Sequence, residues 1–285
     1  MWCRVRRLFM LIVGTLLFGV IAIGAYFYFI QDRVIYLRRA YSLQPEQVRS
    51  LDVRSGGESR VLSFQTSQGQ QLAAYFGRDR PAKIWMMFGG NGALALDWVD
   101  VILRVPGDED VGFLLVDYPG YGWCEGKPDP ETIQESIDAA LTTLADQWEM
   151  PVSELQMSLS CLGHSLGAAV ALEAAARMEV QEVVAISSFT SMQALAENVV
   201  GRPTSLLLRH RFDNVKSLQR LQQIDGAKVL MFHGKTDRMI PVSMGQALEK
   251  QFSDIVEYHE IDGAGHNDIF AFIGEDIVGV LSGRK

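Results

Sequence analysis

A serine flanked by glycines, Gly163-His164-Ser165-Leu166-Gly167, is the pattern in this chain best suited to chemistry. Residues 157–162 ahead of it read as a short buried strand, and residues 168–176 behind it as a helix of strong helix formers. A serine on such a strand-to-helix turn has its hydroxyl lifted above a sheet edge, and side chains at 163 or 167 would collide with neighbouring backbone. A serine hydroxyl is a poor nucleophile near neutral pH, so Ser165 needs a base, and the base needs an acid to orient it. In chains with this turn the acid and then the histidine follow the serine. The histidines after Ser165 are His210, His233, His259 and His266. His266 lies in Gly263-Ala264-Gly265-His266-Asn267-Asp268, a loop after the last apolar strand pattern whose glycines let it swing over the serine. His259 falls inside that strand pattern, His210 in a basic stretch read as helical, and His233 at a strand end where it reads as structural.

Asp237 is the expected acid, because it stands just beyond the apolar run 229–232 and four residues before the helix start at Pro241-Val242. Asp117, at the end of another strand, is its main competitor but precedes Ser165 and reads as a turn residue. Asp262 and Asp268 are near His266 in sequence without the strand-end placement. A tetrahedral intermediate also needs preset donors for its oxyanion. The N–H of Leu166 is one expected donor, and the loop Phe88-Gly89-Gly90-Asn91-Gly92 supplies the other from Asn91, with Gly92 as the alternative. No dinucleotide or Walker pattern accompanies those glycines.

The elements needed to position these residues follow from the apolar pattern. Residues 61–66 and 72–76, separated by Ser67-Gln68-Gly69, suggest an antiparallel hairpin. Apolar runs at 84–88, 112–117, 157–162, 183–187, 229–232 and 255–261 alternate with helical patterns near 94–104, 131–148, 166–178, 242–252 and 268–281. That alternation predicts an α/β class chain: a mostly parallel eight-stranded sheet covered on both faces, with its site at the carboxyl ends of the strands. Residues 190–224 are expected to form a short cap, with Leu206-Leu207-Leu208 in a helical run beside Arg209 and Arg211. That patch reads either as a helix's core face or as a wall contacting lipid or acyl chain.

The composition is that of a folded domain, 48% hydrophobic and 21% charged over 285 residues, and the net charge of −8 removes any electrostatic basis for binding nucleic acid. Three cysteines, Cys3, Cys124 and Cys161, form neither a disulfide framework nor a metal-binding spacing, and no cofactor is implied. Residues 8–30 carry no charge, enough to cross a hydrocarbon core of about 30 Å, with Arg4, Arg6 and Arg7 before them and an aromatic belt at Tyr26–Phe29. A cleaved signal peptide is the alternative, with Ala22-Ile23-Gly24 as its site. The expected organisation is a basic tail (1–7), an anchor (8–30), a polar stalk (31–55) and a catalytic domain (56–285), with the N-terminus inside and the domain on the non-cytoplasmic side.

Several stretches jointly make the chain resemble the short-capped, membrane-anchored branch of the α/β-hydrolase superfamily, which includes serine esterases and depalmitoylating thioesterases. They are Asp117-Tyr118-Pro119-Gly120-Tyr121-Gly122, Gly163–Gly167, Ser188-Phe189-Thr190-Ser191, Arg211-Phe212-Asp213, His233–Pro241 and Gly263–Asp268. The resemblance implies Ser165, Asp237 and His266 as triad, Asn91 and Leu166 as oxyanion hole, and a small-molecule or lipid-like acyl substrate. Two residues depart from it: Gly89-Gly90 stands where relatives carry His-Gly, and Cys124 where a serine is common. The expected activity is hydrolysis of a carboxylic ester or thioester through an acyl-enzyme. The alternatives are a serine peptidase, for which the cap is short, and a membrane-tethered scaffold without activity.

Overall fold

Strands of near-continuous apolar residues can be buried on both faces only if helices cover them, and the computed structural model has that arrangement. It describes residues 2–51, 59–107 and 109–284. Among these, eight strands form one sheet: β1 (Arg60–Thr66), β2 (Gly69–Phe76), β3 (Lys83–Phe88), β4 (Val111–Val116), β5 (Leu159–His164), β6 (Glu182–Ile186), β7 (Lys228–Gly234) and β8 (Val256–Ile261). Their order is β1-β2-β4-β3-β5-β6-β7-β8. β1 and β2 form an antiparallel hairpin, β2 joins β4 antiparallel, and every later pairing is parallel. All six residues of β4 are buried, as are five of the six in β3.

The helices are α1 (Trp2–Ile35), α2 (Val99–Ile102), α3 (Pro130–Gln147), α4 (Val152–Gln156), α5 (Leu166–Met178), α6 (Met192–Val200), α7 (Arg202–Ser205), α8 (Asn214–Leu221), α9 (Val242–Gln251) and α10 (Phe270–Leu281). Helices α3, α5, α8 and α9 bury their apolar sides in one core, on one face of the sheet. Helices α2 and α10 pack in the other. Helix α3 starts where Asp129 accepts from the Thr132 N–H, followed by Pro130 at the first helical position.

Four expectations change. The predicted helix at 94–104 is a 3-10 turn, Ala95–Trp98, followed by the single turn α2, because the Asp97 carboxylate folds back on the Leu94 N–H at 2.9 Å. Residues 206–208 and His210 are not helical; Arg211 reaches back to the carbonyls of Leu206 and Leu208, holding a turn there. Arg4–Arg7 are not a tail but the first turns of α1, a helix long and apolar enough to cross a membrane. Residues 31–51, expected as part of a polar stalk, pack against the domain. Tyr36 and Val48 are buried, the Leu37 N–H donates to the Asn91 carbonyl at 2.9 Å, and the Tyr41 hydroxyl donates to Asp117 at 2.7 Å. The proposed boundary at 55/56 lies outside the described residues.

Candidate active site

Ser165 owes its position to backbone crowding. It sits between β5 and α5 with φ +57° and ψ −118°, a strained conformation for a residue with a side chain. Its N–H donates to the Ile186 carbonyl at 2.9 Å, which ties the turn to β6. A Cβ at position 163 would strike the Gly167 carbonyl, and one at 167 the carbonyls of Phe88 and Gly89. Both glycines are therefore needed for the helix to start so close to the sheet.

The loops after β7 and β8 bring Asp237 and His266 to Ser165. The two loops approach so closely that a Cβ at Gly234 would strike the Ala264 carbonyl. The Thr236 N–H and hydroxyl donate to that same carbonyl at 2.9 and 2.8 Å, and the Asp268 carboxylate accepts the Gly265 N–H at 2.7 Å. His266 Nδ1 lies 2.6 Å from Asp237 Oδ2, and its Nε2 lies 2.9 Å from Ser165 Oγ. An ionised carboxylate only accepts, so the proton belongs on Nδ1, and Nε2 is left to accept from the serine hydroxyl. Burial pushes the Asp237 pKa up, but hydrogen bonds from His233, His266 and the Ile240 N–H outweigh it and hold the carboxyl well below the usual range. Asp237 Oδ1 accepts the Met239 and Ile240 N–H groups, both at 2.8 Å.

The competing acids have other work. Asp117 accepts the Tyr41 hydroxyl and the Ala95 N–H, and burial raises its pKa to about 6. Asp262 pairs with Lys235 at 2.8 Å on the surface. Of the other histidines, His259 is exposed beside Glu257, and His210 lies against Asp32 at 2.7 Å. His233 donates toward the Ile240 carbonyl and stands 3.5 Å from Asp237 Oδ2, the same oxygen that His266 meets.

Asn91 and Leu166 line the same cavity as Ser165 and His266. The Leu166 N–H is the first of α5 and has no partner within the helix. Two tyrosines that only the resemblance had flagged hold the glycine loop: Tyr118 donates to the Gly89 carbonyl and Tyr121 to the Asn91 carbonyl, each at 2.6 Å. Burial raises both phenol pKa values, so the two remain donors. His164 was also unassigned. Its Nε2 lies 3.0 Å from the His266 carbonyl, and burial together with the neighbouring His266 pushes its pKa down to about 4, keeping it neutral. Cys124 Sγ meets both the N–H and the carbonyl of Leu72, contacts a serine hydroxyl could also make.

The cavity measures about 340 Å³ and is mainly apolar. Leu207 and Leu208 line it, and so does Ile35 of α1. The ends of the cap are clasped by the sequence stretches that flank it: the Met192 N–H donates to the Phe212 carbonyl, and Asn214 Nδ2 donates to Ser188 Oγ and the Phe189 carbonyl. Among the described residues no group of three or more His, Cys, Asp or Glu side chains could hold a metal ion.

No family model matches the chain. Over 206 residues it is 29% identical to Alpha/beta hydrolase domain-containing protein 17B of Xenopus tropicalis, an alignment covering 72% of this chain and 68% of the relative. An esterase of Pyrococcus furiosus superposes with a TM-score of 0.60 at 14% identity, over 86% of this chain and 93% of the other. The thioesterase domain from the curacin biosynthetic pathway does so with a TM-score of 0.57 at 12% identity, over 79% and 99%. The chain belongs to the α/β-hydrolase superfamily. Within this α/β-hydrolase, Tyr118, Tyr121 and His164 support the loops around Ser165 without reaching into the serine–histidine–aspartate line. The signal for His164 is its place beside Ser165, and that for the two tyrosines is the matched stretch Asp117–Gly122 alone.

Proposed function

We propose that the chain is a serine hydrolase that cleaves a carboxylic ester or thioester through an acyl-enzyme on Ser165. What carries this reading is the continuous line Asp237–His266–Ser165, with contacts of 2.6 and 2.9 Å, ending at a mainly apolar cavity. As Ser165 Oγ attacks the acyl carbon, its proton passes to His266 Nε2, and Asp237 steadies the imidazolium. The N–H groups of Leu166 and Asn91 stabilise the oxyanion. The Asn91 carbonyl is engaged by Tyr121 and Leu37, which fixes the peptide that follows Asn91 and carries the Gly92 N–H, the alternative donor. Collapse of the intermediate breaks the bond to the alkoxide or thiolate, which takes the proton from His266. Water then gives its proton to His266, attacks the acyl-serine and releases the acid.

The peptidase alternative draws no support from the cavity. None of the side chains lining it is acidic, whereas an aminopeptidase of this fold needs a carboxylate for the substrate amine. We also take α1 to be a retained membrane anchor, with the domain on the non-cytoplasmic side; a reporter fused to the C-terminus, active on one side alone, tests the second point. The experiment for the activity is fluorophosphonate labelling of the full chain in detergent, beside Ser165→Ala and His266→Ala. Labelling of the unaltered chain alone is the expected result. An unlabelled but folded chain would favour the inactive scaffold.

A further inference from the structure

The part of α1 nearest the domain faces the catalytic cavity. Phe27, Tyr28, Gln31, Val34 and Ile35 line it together with Leu207 of the cap. Their spacing, i, i+1, i+4, i+7 and i+8, places them on one face of the helix. Polar contacts on the same stretch fasten it to the cap. Gln31 Oε1 accepts the Arg209 N–H at 2.7 Å, and Asp32 Oδ1 takes Arg209 Nη2 at 2.6 Å and His210 Nε2 at 2.7 Å. Gly24 lies against the cap as well, since a Cβ there would stand 3.0 Å from Leu207 Cδ1.

The earlier part of α1 differs. Leu8, Leu11, Leu17, Phe18 and Ile21 are more than half exposed, as lipid-facing residues of a span would be. Residues 8–23 cover roughly 24 Å at about 1.5 Å per residue, short of a hydrocarbon core of about 30 Å. A span starting at residue 8 therefore runs on to about residue 27, past Gly24, against which Leu207 rests. The first acidic residue, Asp32, comes one turn later. This puts Leu207 and the helix-facing mouth of the cavity at the level of the hydrocarbon boundary. Exposed apolar residues of the cap, Val199 (79%) and Leu206 (54%), lie on the segments flanking that mouth. At about 340 Å³ the cavity is within the range of ligand sites, and it reaches from this boundary to Ser165.

We propose that the domain-facing third of the anchor helix is one wall of the acyl-binding site, so that the acyl chain of a membrane-borne ester enters sideways from the bilayer between α1 and the cap. This rests on the hydrolase reading of Ser165. On this proposal the anchor selects the substrate as well as tethering the protein: the chain lies against Phe27, Val34 and Leu207 while the carbonyl carbon reaches Ser165. The rim polar groups, Gln31 and Arg209, stay at the level of the headgroups.

The test uses the full chain in phosphatidylcholine vesicles, comparing kcat/KM for 4-nitrophenyl butyrate and 4-nitrophenyl palmitate. Val34→Trp and Leu207→Trp fill the shared wall from its two sides, at positions that are 57% and 45% exposed and so tolerant of a larger side chain. Each is expected to lower the palmitate-to-butyrate ratio at least tenfold, while Phe18→Ala on the exposed part of α1 leaves it within twofold. Labelling by a short fluorophosphonate verifies that Ser165 is intact in each variant; if one variant loses labelling, the other carries the test. A ratio unmoved in a labelled variant overturns the shared wall. No turnover of either ester by the unaltered chain instead overturns the hydrolase reading. The route is tested with a palmitoyl ester of a fluorogenic alcohol, placed in the same vesicles or carried on albumin in the water. Faster hydrolysis from the shared bilayer is expected, and equal or faster hydrolysis from albumin would sink the membrane source.

Discussion

The two walls of the cavity beside Ser165 are built in opposite ways. On the sheet side, Ser165, Asp237 and His266 hang on loops held by backbone crowding and hydrogen bonds, among them the Thr236 links between the last two loops and the Gly265–Asp268 bond within the last one. On the other side, α1 meets the cap through apolar side chains and one half-exposed cluster, Asp32 with Arg209 and His210. The contrast follows what each wall must do. A reacting serine needs its partners fixed to within fractions of an ångström, and crowded, buried polar geometry provides that. On the proposed function, an apolar acyl chain needs only a nonpolar surface of suitable length, which the apolar face of α1 would supply.

Variants that break the first wall should have the largest effects. Ser165→Ala is expected to lower kcat/KM for a short ester by at least about 10³-fold, and Asp237→Asn by roughly 10²- to 10⁴-fold, because the amide no longer enforces the His266 tautomer. Steady-state kinetics on the unaltered chain and the two variants would check both. A loss from Asp237→Asn of under tenfold would mean that Asp237 does not orient the base. Gly163→Ala acts through the fold: with its Cβ against the Gly167 carbonyl, we expect several kcal/mol of lost stability, read as a lowered urea midpoint.

Two groups around the sheet-side loops make its stability depend on pH in opposite senses. His164 is held down to about 4 from 6.5, so the unfolded chain binds the extra proton, and the stability present above pH 6.5 is lost as pH falls toward 4. Asp117 is raised to about 6 from 3.8, so the folded chain binds the proton, and stability is lost as pH rises from about 4 to 6. Each contribution is on the order of 3 kcal/mol, so the two largely offset. Relative to the unaltered chain, His164→Asn should gain stability as pH falls through 6.5 to 4, and Asp117→Asn should gain it as pH rises through the same window. Melting temperatures at half-unit pH steps would show crossing difference curves; parallel curves would rule out this pairing.

The smallest effect is expected at the second wall. Asp32→Asn weakens a cluster that is 41% exposed at the carboxylate, where solvent screening limits the loss to about 1 kcal/mol or less. Protease nicking near Arg209 should quicken with little change in short-ester turnover. A large loss of that turnover would show the two walls to be coupled.

How much of this could be read in advance varied with the range of the interactions. Helix α5 and the apolar runs of the parallel sheet are legible because they are written locally, in helix formers and in strand runs bounded by glycine. Gly163 and Gly167 announce a tight turn through residue type alone. Residues 31–51 are not legible in the same way. They alternate polar and apolar residues, and Tyr36, Tyr41 and Val48 find partners only in distant parts of the fold, Asp117 lying 76 positions from Tyr41. The turn at Leu206–Leu208 reads from sequence as a helix because three leucines carry no period, and Arg211, which reaches back to close the turn, looks from sequence like a helix's basic end.

The sequence by itself determined the α/β architecture, the serine turn, and an N-terminal helix long and apolar enough to span a membrane, because each is set by residues adjacent in the chain. Only the tertiary structure decided that His266 and Asp237 meet Ser165 in one line, that Tyr118 and Tyr121 hold the glycine loop, and that α1 lines the cavity beside Ser165. These depend on the spacing of β5, β7 and β8 across the sheet and on where a helix leaves the domain. Contacts between residues 29 to 178 positions apart leave no local pattern in the side chains that make them.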